Sequence, residues 1–266
     1  MVSGSMKSSV IDRPFLEPKF DFNGTSVLIT GGTGSFGNAF LEHILARYVP
    51  RRVIIFSRDE FKQHKMALKY PADKYPFLRF FIGDVRSGDR LQMALRNVDY
   101  VVHAAAMKHV GAAEYNPLEC VHTNILVAEN VIKASMEKGV KKVIALSTDK
   151  AVNPVNLYGA TKLASDKIFV NANYLSGSGG TKFSVVRYGN VVGSRGSVVD
   201  VFKTLIEEGA KSLPITDENM TRFWVSVSQA TNFVESSFQL MAGGEVFIPK
   251  IPSMSVVNLA KAMAPD

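Results

Sequence analysis

One cysteine and one tryptophan stand among 266 residues. With Cys120 alone, neither a disulfide framework nor a cysteine-built zinc site is available. Long apolar runs are also missing; the stretch from Val101 to Met107 falls far short of a membrane span. Basic residues form no dense block: the only adjacent pairs are Arg51-Arg52 and Lys141-Lys142. That scatter argues against a nucleic-acid reader, which needs a clustered basic face. The net charge of +7 reads either as a solvated basic surface or as a surface suited to a small polyanion, and charge alone leaves both open. The opening Met1-Val2-Ser3-Gly4-Ser5-Met6 has no apolar centre, so no secretory signal is expected. What is present, 46% hydrophobic and 21% charged residues without repeats, reads as a folded, soluble, cytoplasmic chain. No metal site is expected, because His43, His64, His103, His109 and His122 have no ligand-like spacing.

Residues 1–22, polar and carrying Pro14 and Pro18, read as a flexible extension. From Thr25 onward, short apolar runs alternate with helical patterns. Val27–Thr30, Val53–Phe56, Arg79–Ile82, Tyr100–His103, Val143–Leu146 and Ser184–Arg187 have the length and composition of strands. Helices are expected through Phe40–Leu45, over Asp59 to about Lys69, Leu91–Leu95, about Leu118–Lys138 and about Tyr158–Ala172. Strands buried on both faces and joined by helices imply an α/β fold with a doubly wound parallel sheet, of the Rossmann type. After Asn190 glycine and serine accumulate, then short pieces alternate with loops. Residues 23–190 are therefore expected to bind nucleotide, and 191–266 to form a small substrate lobe with segments returning to the sheet, which the resemblance given below implies is shortened.

Gly31, Gly34 and Gly37 follow the first strand and open the first helix, where a backbone must approach a pyrophosphate closely. A dinucleotide is expected there. About twenty residues on, an acid would grip a ribose 2′-hydroxyl and an arginine would accept a 2′-phosphate. The chain has Ser57-Arg58 there, with Lys62 one turn later, which favours NADP over NAD. Asp59 complicates that choice, and Arg58 can also be a plain solvent-facing residue. Asp84 reads as an adenine contact or as a helix N-cap. The small residues Ala104, Ala105 and Ala106 permit close approach to a cofactor.

Tyr158 and Lys162 are four apart at a helix start and share a face. A cationic lysine beside a phenol lowers its pKa and equips it as a base. Ahead of them lies Ser147-Thr148-Asp149-Lys150, where a carboxyl and an amine stand side by side. Such a pair can divide an elimination between leaving-group protonation and carbon-acid deprotonation, and it can equally be a solvated turn with a capping aspartate.

The Tyr158–Lys162 pair, placed after a fifth strand, resembles the short-chain dehydrogenase/reductase superfamily. The run Ile29 to Gly37, the run from Ser147 through Tyr158-Gly159-Ala160-Thr161-Lys162, and Arg187-Tyr188-Gly189-Asn190 through Ser197 resemble the inverting UDP-N-acetylglucosamine 4,6-dehydratases. That is the small, pseudaminic-acid-pathway branch of the extended superfamily. Likeness continues through Ala106–Val110, Glu114–Cys120, Thr221-Arg222-Phe223-Trp224 and Pro249–Met254, and covers about residue 22 to the end. Related 4-epimerases lack the Asp–Lys pair, retaining dehydratases have Asp-Glu, and large membrane-bound relatives can carry Met in place of Tyr158.

The resemblance implies that Thr33, Ser35, Phe36, Val85, Lys108, Ser147, Tyr188 and Asn190 join the glycines, Ser57, Arg58, Lys62, Asp84 and Ala104–Ala106 around the dinucleotide. It places Lys108, His109, Asn190, Ser194 and Arg195 near UDP-N-acetylglucosamine. It assigns the chemistry to Thr148, Asp149, Lys150, Tyr158 and Lys162. Tyr158 takes the 4-hydroxyl proton, Lys150 the C5 proton, and Asp149 protonates the departing 6-hydroxyl, with inversion at C5. A neutral lysine and a protonated aspartate are needed, states that burial or mutual influence must supply. A homo-oligomer is expected, with no nucleic-acid or membrane partner. Two departures stand out: Asp200 replaces a usual proline, and the chain stops at Met263-Ala264-Pro265-Asp266, where relatives continue. Another sugar-nucleotide enzyme of the superfamily, or a catalytically weak NADP-binding protein, are the competing expectations.

Overall fold

Each short aliphatic run becomes a strand whose alternate side chains enter opposite layers, and this period of two builds the molecule. The computed structural model describes residue 15, residues 19–192 and residues 197–264. The first half alternates β1 (Ser26–Thr30), α1 (Ser35–Leu45), β2 (Arg52–Ser57), α2 (Glu60–Lys69), β3 (Leu78–Ile82), α3 (Gly88–Ala94) and β4 (Tyr100–His103). Two short helices follow, α4 (Val110–Tyr115) and α5 (Pro117–Val121), then α6 (Val127–Glu137), β5 (Lys142–Thr148), α7 (Leu157–Ser176) and β6 (Lys182–Tyr188). The remainder holds β7 (Asn190–Val191), α8 (Val198–Glu207), β8 (Thr221–Val225), α9 (Val227–Leu240), β9 (Val246–Phe247), β10 (Ser253–Ser255) and α10 (Val256–Met263).

Seven strands form a parallel sheet in the order β3-β2-β1-β4-β5-β6-β9. Leu28, Ile54, Val101 and Val143 point to one face, where Leu91 of α3, Val127 and Val131 of α6 and Phe169 of α7 cover them. Val27, Ile29, Ile55, Val102 and Ile144 point to the other, under Phe40 and Ile44 of α1, Met66 of α2 and Phe238 of α9. The winding direction reverses between β1 and β4, so a crevice opens beyond their carboxyl ends. Past residue 190 a small sheet, β10-β8-β7, forms with α8 and α10 around Phe202, Val256 and Ala260. The chain then returns: α9 packs on α1, and β9 joins the large sheet beside β6. Among the described residues, no helix is long and apolar enough to cross a membrane.

Two local features differ from the sequence expectation. The helix expected over about 118–138 is three pieces, because a π-helical turn at His122–Leu126 separates α5 from α6. The described part of the expected extension is packed: Phe22 is fully buried, and Phe20 meets Phe22, Tyr100 and Phe238 at 4.9, 5.1 and 5.4 Å between ring centres. Phe15 stacks edge-on to Phe233 and donates its amide to Asn232. The aromatic rings fill the gap between α9 and the amino ends of the strands, so the core begins upstream of residue 23. A polar average over residues 1–22 hides two large apolar side chains whose burial outweighs their neighbours' hydration.

Candidate active site

The glycine turn is built by contact. Gly31 has φ +63°, and a Cβ there would lie 2.9 Å from the Ala105 backbone. A Cβ at Gly37 would lie 2.4 Å from the Gly32 carbonyl, so any side chain would push α1 off the turn. Gly34 takes the N-cap position of α1 with no side-chain cap, which leaves the first helical amides aimed beyond the strand ends. Thr30 braces this turn from beneath. Its hydroxyl accepts from the amides of Ala104 and Ala105 at 3.1 and 3.2 Å and lies 2.8 Å from Nδ1 of His103. With both amides donating to it, the hydroxyl gives its own proton to Nδ1, which places the ring proton on Nε2. Burial, reinforced by the charge of Lys162, holds His103 down at about 3, so it is a neutral structural group.

At the carboxyl end of β2, Asp59 lines the same cleft as Arg58 and Lys62. Its carboxylate caps α2 by accepting from the Lys62 amide at 2.9 Å and pairs with Lys62 Nζ at 2.7 Å. Arg58 extends into the crevice, 3.6 Å from Asp84. Asp84 is not an N-cap, since Ser87 caps α3. Its carboxylate instead takes two bonds from the Arg86 guanidinium at 3.0 and 2.9 Å. Burial pushes the Asp84 carboxyl upward, but the Arg86 bonds and the nearby Arg58 charge together hold it below the usual range.

The chemical end lies where β5 meets α7. Asn156 caps α7 by accepting from the Gly159 amide at 2.8 Å, and this places Tyr158 and Lys162 on the first two turns. Lys162 is 2% exposed; burial lowers its pKa, and the Asp166 carboxylate opposes that. The phenol of Tyr158 is pushed up to about 12 by burial, while its hydrogen bond with Thr148 pulls the other way. This differs from the expectation of a phenol lowered by Lys162: desolvation of the phenolate and the negative charges of Asp149 and Asp166 act in the same direction. Burial also raises the phenol of Tyr188, with the charge of Tyr158 adding to it. The hydroxyl of Ser147 is committed to Asp166 at 2.9 Å, which leaves Thr148 as the hydroxyl beside Tyr158.

A 3-10 turn at Asp149–Ala151 then presents the acid and the amine. The Asp149 carboxylate accepts from Thr148 Oγ1 at 3.0 Å and from Lys150 Nζ at 3.1 Å. Lys150 Nζ also donates to Asn190 Oδ1 at 3.3 Å, across from β7.

One open cleft of about 650 Å³ gathers these groups. It is lined by Gly31, Thr33, Gly34, Ser35, Phe36 and Gly37, by Ser57, Arg58 and Lys62, by Asp84 and Val85, and by Ala104–Ala106. Lys108, His109, Ser147, Thr148, Lys150, Tyr158, Lys162, Tyr188 and Asn190 complete the predicted set. Asp149 is the exception: it touches the cleft through Lys150 and does not line it. Ser194 and Arg195 lie outside the described residues. Asp200 is in the first turn of α8, its amide donating to Ser197, where an acid suits the helix dipole and a proline could not donate.

Thr123, Leu146, Val191 and Ser197 also line the cleft and were not read from the sequence. Thr123 comes from the π-helical turn, and its neighbour Asn124 explains the turn's place. The buried Asn124 amide accepts from the Met107 amide at 2.9 Å and donates to the Met107 carbonyl at 2.9 Å and to Thr161 Oγ1 at 3.0 Å. It thereby ties the loop after β4 to α7. A wider turn re-aims side chains without breaking the helix, and an apolar pattern carries no mark of it.

A family model described as polysaccharide biosynthesis protein matches residues 27–265. A UDP-N-acetylglucosamine 4,6-dehydratase (inverting) from Campylobacter jejuni is 62% identical over 245 residues, which are 92% of this chain and 72% of that protein. A UDP-glucose 4-epimerase from Rickettsia akari is 43% identical over 245 residues, covering 91% of this chain and 71% of its own length. Among solved structures, Pen from Bacillus thuringiensis superposes with a TM-score of 0.87 at 43% identity, covering 92% of this chain and 76% of that one.

Proposed function

The chain belongs to the polysaccharide biosynthesis protein family, and on that premise we propose that it is a hydro-lyase removing water from UDP-N-acetylglucosamine by inverting 4,6-dehydration. The observation that carries this reading is the placement of Lys150. Its amine reaches the cleft that holds Tyr158 and Lys162, and it is hydrogen-bonded to Asp149 on one side and Asn190 on the other. A simple reductase has no use for that pair.

The glycine turn, where a Cβ at Gly31 or Gly37 would collide with backbone, fits a dinucleotide pyrophosphate, with Ser57, Arg58 and Lys62 at the ribose end. NADP is the preferred form, because the Asp59 carboxylate is held by the Lys62 amide and Nζ, while Arg58, 3.6 Å from Asp84, lies on the cleft where a 2′-phosphate would be met. Bound there, the dinucleotide supplies a hydride acceptor for sugar C4 and a donor for C6. Tyr158 takes the proton from the 4-hydroxyl, its phenolate supported by the hydrogen bond with Thr148. The C4 ketone so formed acidifies C5–H; with one proton shifted from Lys150 to Asp149 along their 3.1 Å hydrogen bond, the neutral amine of Lys150 takes the C5 proton. Asp149 gives a proton to the C6 oxygen as it departs. Reprotonation of C5 from the opposite face inverts that centre. Two protons leave the sugar, from O4 and C5, and two return, to the departing oxygen and to C5, so the net loss is one water.

A homo-oligomer is part of the same reading. A cytoplasmic location completes the reading.

Incubation with UDP-N-acetylglucosamine in deuterium oxide, followed by proton NMR, is the test. A new C6 methyl signal with deuterium at C5 is expected; a C4 epimer without a methyl signal overturns the assignment in favour of the epimerase alternative. Cofactor choice is tested separately. Arg58→Ala should weaken NADP binding by about tenfold, the lower end for a hydrogen bond to a charged group at an exposed site, and leave NAD binding unchanged by titration calorimetry. Equal loss for both nucleotides would remove the 2′-phosphate role.

A further inference from the structure

Gly159 stands between the two halves of the catalytic apparatus, and its lack of a side chain is required by one contact. A Cβ built on it would lie 2.2 Å from the carbonyl oxygen of Lys150, 3.1 Å from that carbonyl carbon and 3.0 Å from Cβ of Pro154. Glycine is otherwise a poor choice in a helix, so packing has to explain it here. We infer that Gly159 is a positioning residue for Lys150: it lets the Asp149–Ala151 turn seat directly on the first turn of α7, and so sets the distance between the amine and Tyr158. The inference rests on the dehydratase reading and deepens it.

The two bodies in contact are unequal in firmness. Helix α7 has twenty residues and is anchored by the buried Lys162 and by Asp166, whose carboxylate takes Ser147 Oγ at 2.9 Å and Arg187 Nε at 2.7 Å. The turn has three residues and runs into Asn153 at φ 45°, a left-handed backbone that a non-glycine residue adopts at a cost. An added methyl therefore displaces the turn and leaves the helix in place. To restore ordinary contact, the Lys150 carbonyl must recede by about 1 Å, and misplacement of that size costs about a hundredfold in rate. The loss falls on the step that uses Lys150. The step that uses Tyr158 and Lys162 is spared, because those side chains sit on α7 itself.

The experiment compares wild type, Gly159→Ala and Gly159→Ser as NADP-loaded enzyme. NADP affinity by calorimetry should match across the three. On mixing with UDP-N-acetylglucosamine, the near-ultraviolet rise of reduced nicotinamide, which reports C4 oxidation, should persist in both variants. Deuterium entry at C5 and the C6 methyl product should fall by about a hundredfold in the alanine variant, and further in the serine variant. Wild-type C5 exchange in the variants, or a parallel loss of C4 oxidation, C5 exchange and NADP binding, overturns the positioning role alone. A wild type that forms no methyl product overturns the dehydratase reading, and the inference with it.

Discussion

Replacing Lys150 by alanine should abolish water loss while leaving cofactor binding intact. The amine is held at 3.1 Å from Asp149 and 3.3 Å from Asn190, neither of them in the glycine turn, so its removal leaves the glycine-turn backbone intact. General-base catalysis by a positioned side chain is worth about 10²–10⁴-fold, and product formation is expected to fall by that amount. The rate is read from the C6 methyl signal, and NADP affinity from calorimetry on the same preparation. Full activity in the variant would show that some other group takes the C5 proton. Joint loss of activity and NADP affinity would show that the lysine is structural. The same variant separates a dehydratase from an epimerase, since C4 oxidation and re-reduction need only Tyr158 and Lys162.

The second large effect is on stability. Asp166 is 2% exposed and accepts from Ser147 and from Arg187, whose side chain is 14% exposed. Asp166→Ala leaves the Arg187 guanidinium buried without its counter-charge, and breaking such a pair from one side costs about 3–5 kcal/mol. Urea unfolding of the variant should show that loss. The double change Asp166→Leu with Arg187→Met removes both charges and should recover most of it, because the cost arises from the partner left behind. A single-variant loss below about 1 kcal/mol, the range of an exposed pair, would mean that water reaches the pair. The carboxylate also fastens α7 to β5 and β6, one helical turn beyond Lys162, so activity is expected to fall along with stability.

Much of this was legible in residue order. Strands such as Tyr100–His103 declare themselves because a two-sided buried strand needs an unbroken short apolar run, and their alternation with helical patterns dictates parallel crossovers. Gly31, Gly34 and Gly37 were readable because close backbone approach excludes side chains. Tyr158 and Lys162 were readable because four residues make one helical turn. Where the reading stopped is equally physical. Asp59 and Asp84 look alike in sequence, both just past a strand, yet one caps its helix and the other gathers Arg86 and Arg58. The two differ only in what the next residues bring near. Phe20 and Phe22 sit in a polar stretch, and the surface that buries them comes from far along the chain, from Tyr100 and from Phe238 of α9.

The order of residues sufficed for the scaffold, for the glycine turn and for most of the residues that gather at the cleft, since these depend on local spacing. The scarcity of cysteine already excluded a disulfide framework and a cysteine-built zinc site. Tertiary packing alone decided the electrostatics: it drove the Tyr158 phenol up by burial, kept His103 neutral and set Arg187 against Asp166. It also decided that Lys150 faces the cleft while Asp149 reaches it only through that amine. Desolvation and charge pairing depend on distances between groups far apart in the chain, and no spacing rule in a sequence contains those distances.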